Sequence, residues 1–112
     1  MISYDDFEKV DIRVGRVVAV QDFPEARIPA LQLTIDLGPD LGLKKSSAQL
    51  VGAHTKEELT GMLVCCVVNV PPKQVGHFFS EVLTLGFKNT AGAGWVLITS
   101  AKSSVEVGSR LH

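Results

Sequence analysis

No apolar run in the chain approaches the ~20 residues that a membrane-spanning helix needs. The opening residues, Met1-Ile-Ser-Tyr-Asp-Asp6, lack a basic segment leading into an apolar one, so no secretory leader is expected and the reading is a cytoplasmic protein. Cysteine is scarce: Cys65 and Cys66 are the only two, and they are adjacent. Neighbours on a strand point to opposite faces, so a bond between them would be strained, and both read as small buried hydrophobes without a redox role. The three scattered histidines, His54, His77 and His112, have no ligand spacing, so no metal site is expected. No motif sets a serine beside a histidine and an aspartate; neither catalysis nor a cofactor is expected. An excess of one charge is missing too. The net charge of −1 argues against a strong general binder of polyanions.

What is present is a globular composition. Of 112 residues, 46% are apolar and 21% charged, which fits one domain spanning residues 1–112. A chain this small would gain stability by pairing with a copy. The charge is unevenly placed: Lys9 alone offsets Asp5, Asp6, Glu8 and Asp11, so residues 1–11 carry −3 and the remainder +2. Any affinity for an anion must come from local patches.

Ser3-Tyr-Asp-Asp6 has the form of a helix start, with Ser3 as N-cap, acids in the first turn, and Phe7 and Val10 on one face. Strand one is expected from Ile12 to Asp22, with Gly15 marking a bulge or bend where the apolar phase shifts. Phe23-Pro-Glu-Ala-Arg-Ile-Pro29 is a loop. Leu31, Leu33, Ile35 and Leu37 then alternate with Gln32, Thr34 and Asp36 in the cleanest strand pattern of the chain. Gly38 to Gly42 is a turn, and strand three runs from about Leu43 to Val51. Thr55-Lys-Glu-Glu58 is a capping box opening a short helix that ends near Gly61. Met62–Val68 is a strand covered on both faces, Pro71–Phe79 a structured connection, Glu81–Gly86 a further strand, and Trp95–Ile98 a last one. The tail, with Val105, Val107 and Leu111, has enough apolar content to dock.

Three strands, a helix and more strands is the order of an OB-fold. The predicted class is mainly β: a five-stranded Greek-key barrel with a short helix between strands 3 and 4, a short N-terminal helix and a C-terminal extension. An SH3-like barrel is the alternative; the capped central helix and the glycine in strand one favour the OB order.

Five segments carry a resemblance along nearly the whole chain: Asp6-Phe-Glu-Lys-Val-Asp-Ile-Arg-Val-Gly15, Phe23-Pro-Glu-Ala-Arg27 with Pro29, Ser46-Ser-Ala-Gln49, Val68-Asn-Val-Pro-Pro72 and Ser80-Glu-Val-Leu-Thr-Leu-Gly86. In these the chain resembles the CsaA family of small OB-fold proteins, related to the tRNA-binding domains of aminoacyl-tRNA synthetases. The resemblance implies a non-catalytic cytoplasmic homodimer that binds tRNA, with an export-related chaperone activity. The chain departs from the pattern where His77 takes a glycine's place and Phe79 stands where a cation is usual. That exchange is expected to weaken phosphate attraction and add stacking surface.

The candidate RNA contacts are therefore Arg13, Arg27, Lys44, Lys45 and Lys73 for phosphates, with Ser46, Ser47 and Ser80 supplying hydroxyls. Four of them have a plain structural counterpart. Arg13 can pair with Asp11, Lys44 and Lys45 can guard an edge strand, and Ser80 can cap a turn. The rival function is a chaperone that takes unfolded peptides or export components in an apolar groove at Phe78 and Phe79, since adjacent aromatics on an extended segment cannot both face one core. Trp95 reads as core or dimer packing, and Asn69 as a hydrogen-bonding residue of the Val-Pro-Pro turn. Phe7, Val10, Val105, Val107 and Leu111 are the expected dimer contacts.

Overall fold

One long strand organises the fold by changing partners midway. The computed structural model describes residues 1–112. In it β1 (Ile12–Asp22) pairs through residues 12–16 with β4 (Leu63–Val67) and through residues 16–22 with β2 (Leu31–Asp36), both antiparallel. β2 pairs in turn with β3 (Leu43–Ala48), and β4 with the two-residue β7 (Leu83–Thr84). The resulting order β3-β2-β1-β4-β7 is a nearly closed five-stranded antiparallel barrel of OB type.

The alternation read in strand two holds: Leu31, Leu33, Ile35 and Leu37 are buried and form the barrel core with Val17, Leu50, Leu59, Val64 and Cys66. The irregularity in β1 lies between Val17 and Ala19, where Val18 is the extra residue, and not at Gly15. Gly15 has a packing role instead. A Cβ there would sit 2.5 Å from Ile35 Cγ2 and 2.8 Å from Leu37 Cδ2, so β1 can cross the core only without a side chain at that point.

Ser3 caps α1 (Tyr4–Glu8) as expected, and Asp6 completes a capping box there. The expected capping box of Thr55 and Glu58 opens α3 (Lys56–Leu59), which lies between β3 and β4 and buries Leu59. The expected turn at Gly38 contains one helical turn, α2 (Gly38–Leu41), with Pro39 in its first turn. Strand three ends at Ala48 rather than Val51. The structured connection is a β-hairpin, β5 (Lys73–Val75) with β6 (Phe78–Ser80). The expected strand from Glu81 to Gly86 is divided: β7 stays in the barrel, while β8 (Gly86–Lys88) leaves it to pair with β9 (Trp95–Leu97). Trp95 is 41% exposed on that hairpin and does not belong to the core.

The tail continues the sheet along β1 where β2 has ended. Gly108 N–H donates to Val14 O, Val14 N–H to Ser109 O and Leu111 N–H to Ile12 O. His54 ties α3 to β9, accepting the Leu97 N–H at Nε2 while Nδ1 faces Glu58. Cys66 is fully buried, and burial pushes its thiol up to about 11; Cys65, expected to be buried as well, is only half-buried. No helix is long and apolar enough to cross a membrane.

Candidate nucleic-acid interface

β3 is the edge strand of the sheet, so its outward N–H and C=O groups need partners from elsewhere. Residues 80–84 supply them. Glu81 N–H donates to Lys45 O at 2.8 Å, and Lys45 N–H donates to the Glu81 carboxylate at 2.9 Å. Ser47 N–H donates to Ser80 Oγ at 2.9 Å. Ser46 points the other way, fully buried, with its hydroxyl donating to Val82 O at 3.2 Å and 2.7 Å from Thr84 Oγ1. The expectation that Ser46 offers its hydroxyl to RNA is therefore corrected: it seals the barrel from within. Ser80 is half-buried, and its oxygen already takes the Ser47 amide.

Strand alternation also divides the two lysines. Lys45 lies opposite Thr34 on the outer face, where its Nζ donates to Thr34 Oγ1 at 2.9 Å. Lys44 lies opposite the buried Ile35, on the other face of β3, and does not share a surface with Lys45. Lys73 pairs with Ser80 in the hairpin, and Ser80 is bonded to Ser47 two residues from Lys45, so the hairpin that carries Lys73 is joined to β3 next to Lys45.

The hairpin itself is pinned by aromatics. Phe78 packs on the buried Phe23 with ring centroids 5.3 Å apart, which holds the β1–β2 loop, with exposed Arg27, against the hairpin. Phe79 faces the other way and is 55% exposed. Between hairpin and barrel lies an open groove of about 580 Å³, lined by Gln32 and Lys45 of the sheet and by Pro72, Phe78, Phe79 and Glu81, with His77 at the hairpin turn.

Ion pairing sorts the remaining cations. Arg13 makes a bidentate contact with Asp11, Nε to Oδ1 at 2.6 Å and Nη2 to Oδ2 at 3.1 Å, and donates through Nη1 to Gly108 O. Its hydrogen bonds hold the Asp11 carboxyl below the usual carboxylate range. Arg110 joins the same carboxylate at 3.7 Å. Arg13 thus serves the tail, in a region apart from the groove. Lys45, Lys73, Lys44 and Arg27 are in no ion pair.

Sequence reasoning missed Gln32 and Glu81 as groove residues. Gln32 belonged to the outward phase of strand two, a signal that was present; the pairing of Glu81 with Lys45 spans 36 residues and left none. Asn69 is structural, but it joins Lys9 O to Asp11 N–H rather than its own turn.

Comparison with known proteins fits this architecture. The family described as "Putative tRNA binding domain" matches residues 12–110. Methionine–tRNA ligase 1 of Sorangium cellulosum is 35% identical over 110 residues, which are 98% of this chain and 15% of the ligase. The chain thus spans about a sixth of the ligases it matches. Among solved structures, the CsaA chaperone protein from Picrophilus torridus is 44% identical with a TM-score of 0.90, each chain covered in full. Chaperone CsaA from Bacillus anthracis is 41% identical with a TM-score of 0.90, covering 100% of this chain and 99% of that one.

Proposed function

The chain belongs to the tRNA-binding domain family, and from that membership we propose that it binds tRNA or another structured RNA through the groove between β3 and the β5–β6 hairpin, without catalysis. The observation that carries this reading is the placement of unpaired cations. Lys45 in the groove lining, Lys73 on the hairpin and Arg27 on the adjoining loop form no ion pair, whereas Lys9, Arg13, Lys56 and Arg110 each face an aspartate. Arg16, Lys44, Lys88 and Lys102 are unpaired as well, but none of them lies on the hairpin, the loop or the groove lining. Unpaired cations gathered beside one groove are what phosphate positioning needs. Ser47 shares the outward phase of β3 with Lys45, while the Ser80 hydroxyl is taken up by the Ser47 amide and Val82 O.

The protein acts as a homodimer in the cytoplasm in this reading. Arg110 reaches Glu8 O, bringing the end of the tail against α1. Phe7 and Val10 of the N-terminal segment and Val105 and Leu111 of the tail are exposed, with Val107 half-buried. A two-fold pair would present the groove twice, and an RNA reaching both copies would gain avidity. The relatives solved as CsaA chaperones, together with exposed Phe79, favour a second reading in which an extended apolar peptide occupies the groove. Titration of labelled total tRNA by anisotropy separates the two. Saturable binding that weakens as salt rises supports RNA; absence of binding at low salt, with retention of an apolar peptide, supports the chaperone reading.

A further inference from the structure

Phosphate attraction accounts for Lys45 and Lys73 but not for two other groups in the groove. Phe79 is 55% exposed, although its hairpin neighbour Phe78 turns inward onto Phe23. Glu81 brings a carboxylate into the same lining, a group that phosphate attraction alone does not call for. Only Oε1 of that carboxylate is used within the protein, for the Lys45 amide; Oε2 makes no hydrogen bond, and neither does the amide of half-buried Gln32. An aromatic face, a free carboxylate oxygen and a free amide beside the unpaired Lys45, with Lys73 on the adjoining hairpin strand, form a set that matches a nucleotide better than a backbone stripe.

We propose that the groove takes one unstacked base from a single-stranded loop or end of the RNA. Its ring lies on Phe79, its amino-bearing edge faces Glu81 and Gln32, and the adjoining phosphates lie at Lys45 and Lys73. The inference rests on the RNA reading above and specifies which part of an RNA enters the site. The volume of about 580 Å³ lies within the size range of small-ligand sites. Stacking on an aromatic side chain tolerates any base. The carboxylate does not: it accepts from an exocyclic amino group, cytosine N4, adenine N6 or guanine N2, whereas uracil has no amino group and offers a single N3–H between two carbonyl oxygens. The site therefore selects single strands over duplexes, and cytosine or adenine over uracil.

The test is anisotropy titration of the full chain with labelled oligo(C), oligo(A) and oligo(U) of matched length, a blunt RNA duplex and total tRNA, all at one moderate salt concentration. The variants are Phe79→Ala, Phe79→Trp and Glu81→Gln, each checked for its unfolding transition. The proposal predicts oligo(C) and oligo(A) bound tighter than oligo(U) and the duplex. Phe79→Ala weakens oligo(C) by about tenfold or more, and Phe79→Trp retains it. Glu81→Gln keeps an oxygen for the Lys45 amide but narrows the margin over oligo(U). If tRNA binds while oligo(C) and oligo(U) are equal, or while folded Phe79→Ala is unaffected, the base site is overturned and the RNA reading stands. If no RNA binds, both fall. If Phe79→Ala releases an extended apolar peptide but no RNA, the groove's occupant is a peptide and the proposal is overturned.

Discussion

Lys45 and Glu81 exchange two hydrogen bonds across the seam of the barrel, one between main chains at 2.8 Å and one from the Lys45 amide to the Glu81 side chain at 2.9 Å. A carboxylate thus does for the edge strand what a neighbouring main-chain carbonyl does inside a sheet. The same contact fixes the strand on which the Lys45 side chain enters the groove, so closure of the fold and placement of the site share one pair of residues.

Replacing Glu81 with alanine leaves the Lys45 amide without its partner at the seam. The expected loss is about 1–3 kcal/mol, the range for an unsatisfied group or a lost charge-assisted bond. Urea denaturation checks this, and Glu81→Gln, which keeps an acceptor oxygen, should recover most of the loss.

Ser46→Ala separates architecture from recognition at a residue that sequence motifs mark for binding. Its buried hydroxyl serves Val82 O and Thr84 Oγ1. The substitution should lower stability by about 1 kcal/mol and leave the RNA affinity of the folded protein unchanged, as denaturation and tRNA titration of one sample would report.

Gly15→Ala tests the close crossing of β1 over β2. Ile35 and Leu37 are buried at 0% and 1% exposure, so neither can withdraw from a new Cβ 2.5–2.8 Å away. Overpacking of this kind should destabilise the chain by about 1–3 kcal/mol in denaturant titration.

Asp11 should contribute to acid sensitivity. Its pairing with Arg13 lowers the folded-state pKa below the ordinary value, so the contribution is present above the unfolded carboxylate's pKa and is lost as pH falls through the folded one. Asp11→Asn should therefore unfold at a lower temperature than the parent at neutral pH. The two melting curves should converge when the pH drops below the usual carboxylate range.

Local signals carried much of this fold into view. The alternation from Leu31 to Leu37, the N-cap at Ser3, the capping box at Thr55 and the breadth of β1 are written within a few residues each, and all appear in the structure where the sequence puts them. What stayed hidden depends on distant partners. Ser46 and Ser47 look alike in sequence, yet Val82 claims one and Ser80 the other. Lys44 and Lys45 form one cationic pair on paper, and strand alternation sets them on opposite faces. Arg13 reads equally as a phosphate contact or as the partner of Asp11; the pair forms, and the tail, 95 residues away, adds Gly108 O to it. The division of residues 81–88 between barrel and hairpin depends on β9 drawing Gly86–Lys88 away from β4, which no local pattern records.

The central claim is that Lys45 and Lys73 hold phosphates at the groove, and the salt dependence of tRNA binding tests it most directly. The slope of log K against log salt should be measured for the parent, Lys45→Gln, Lys73→Gln and the double variant. If each lysine neutralises one phosphate, each substitution lowers the slope by about 1 and the double variant by about 2. Slopes unchanged by both substitutions, in protein that still folds and binds, would contradict the account and place the RNA on another surface.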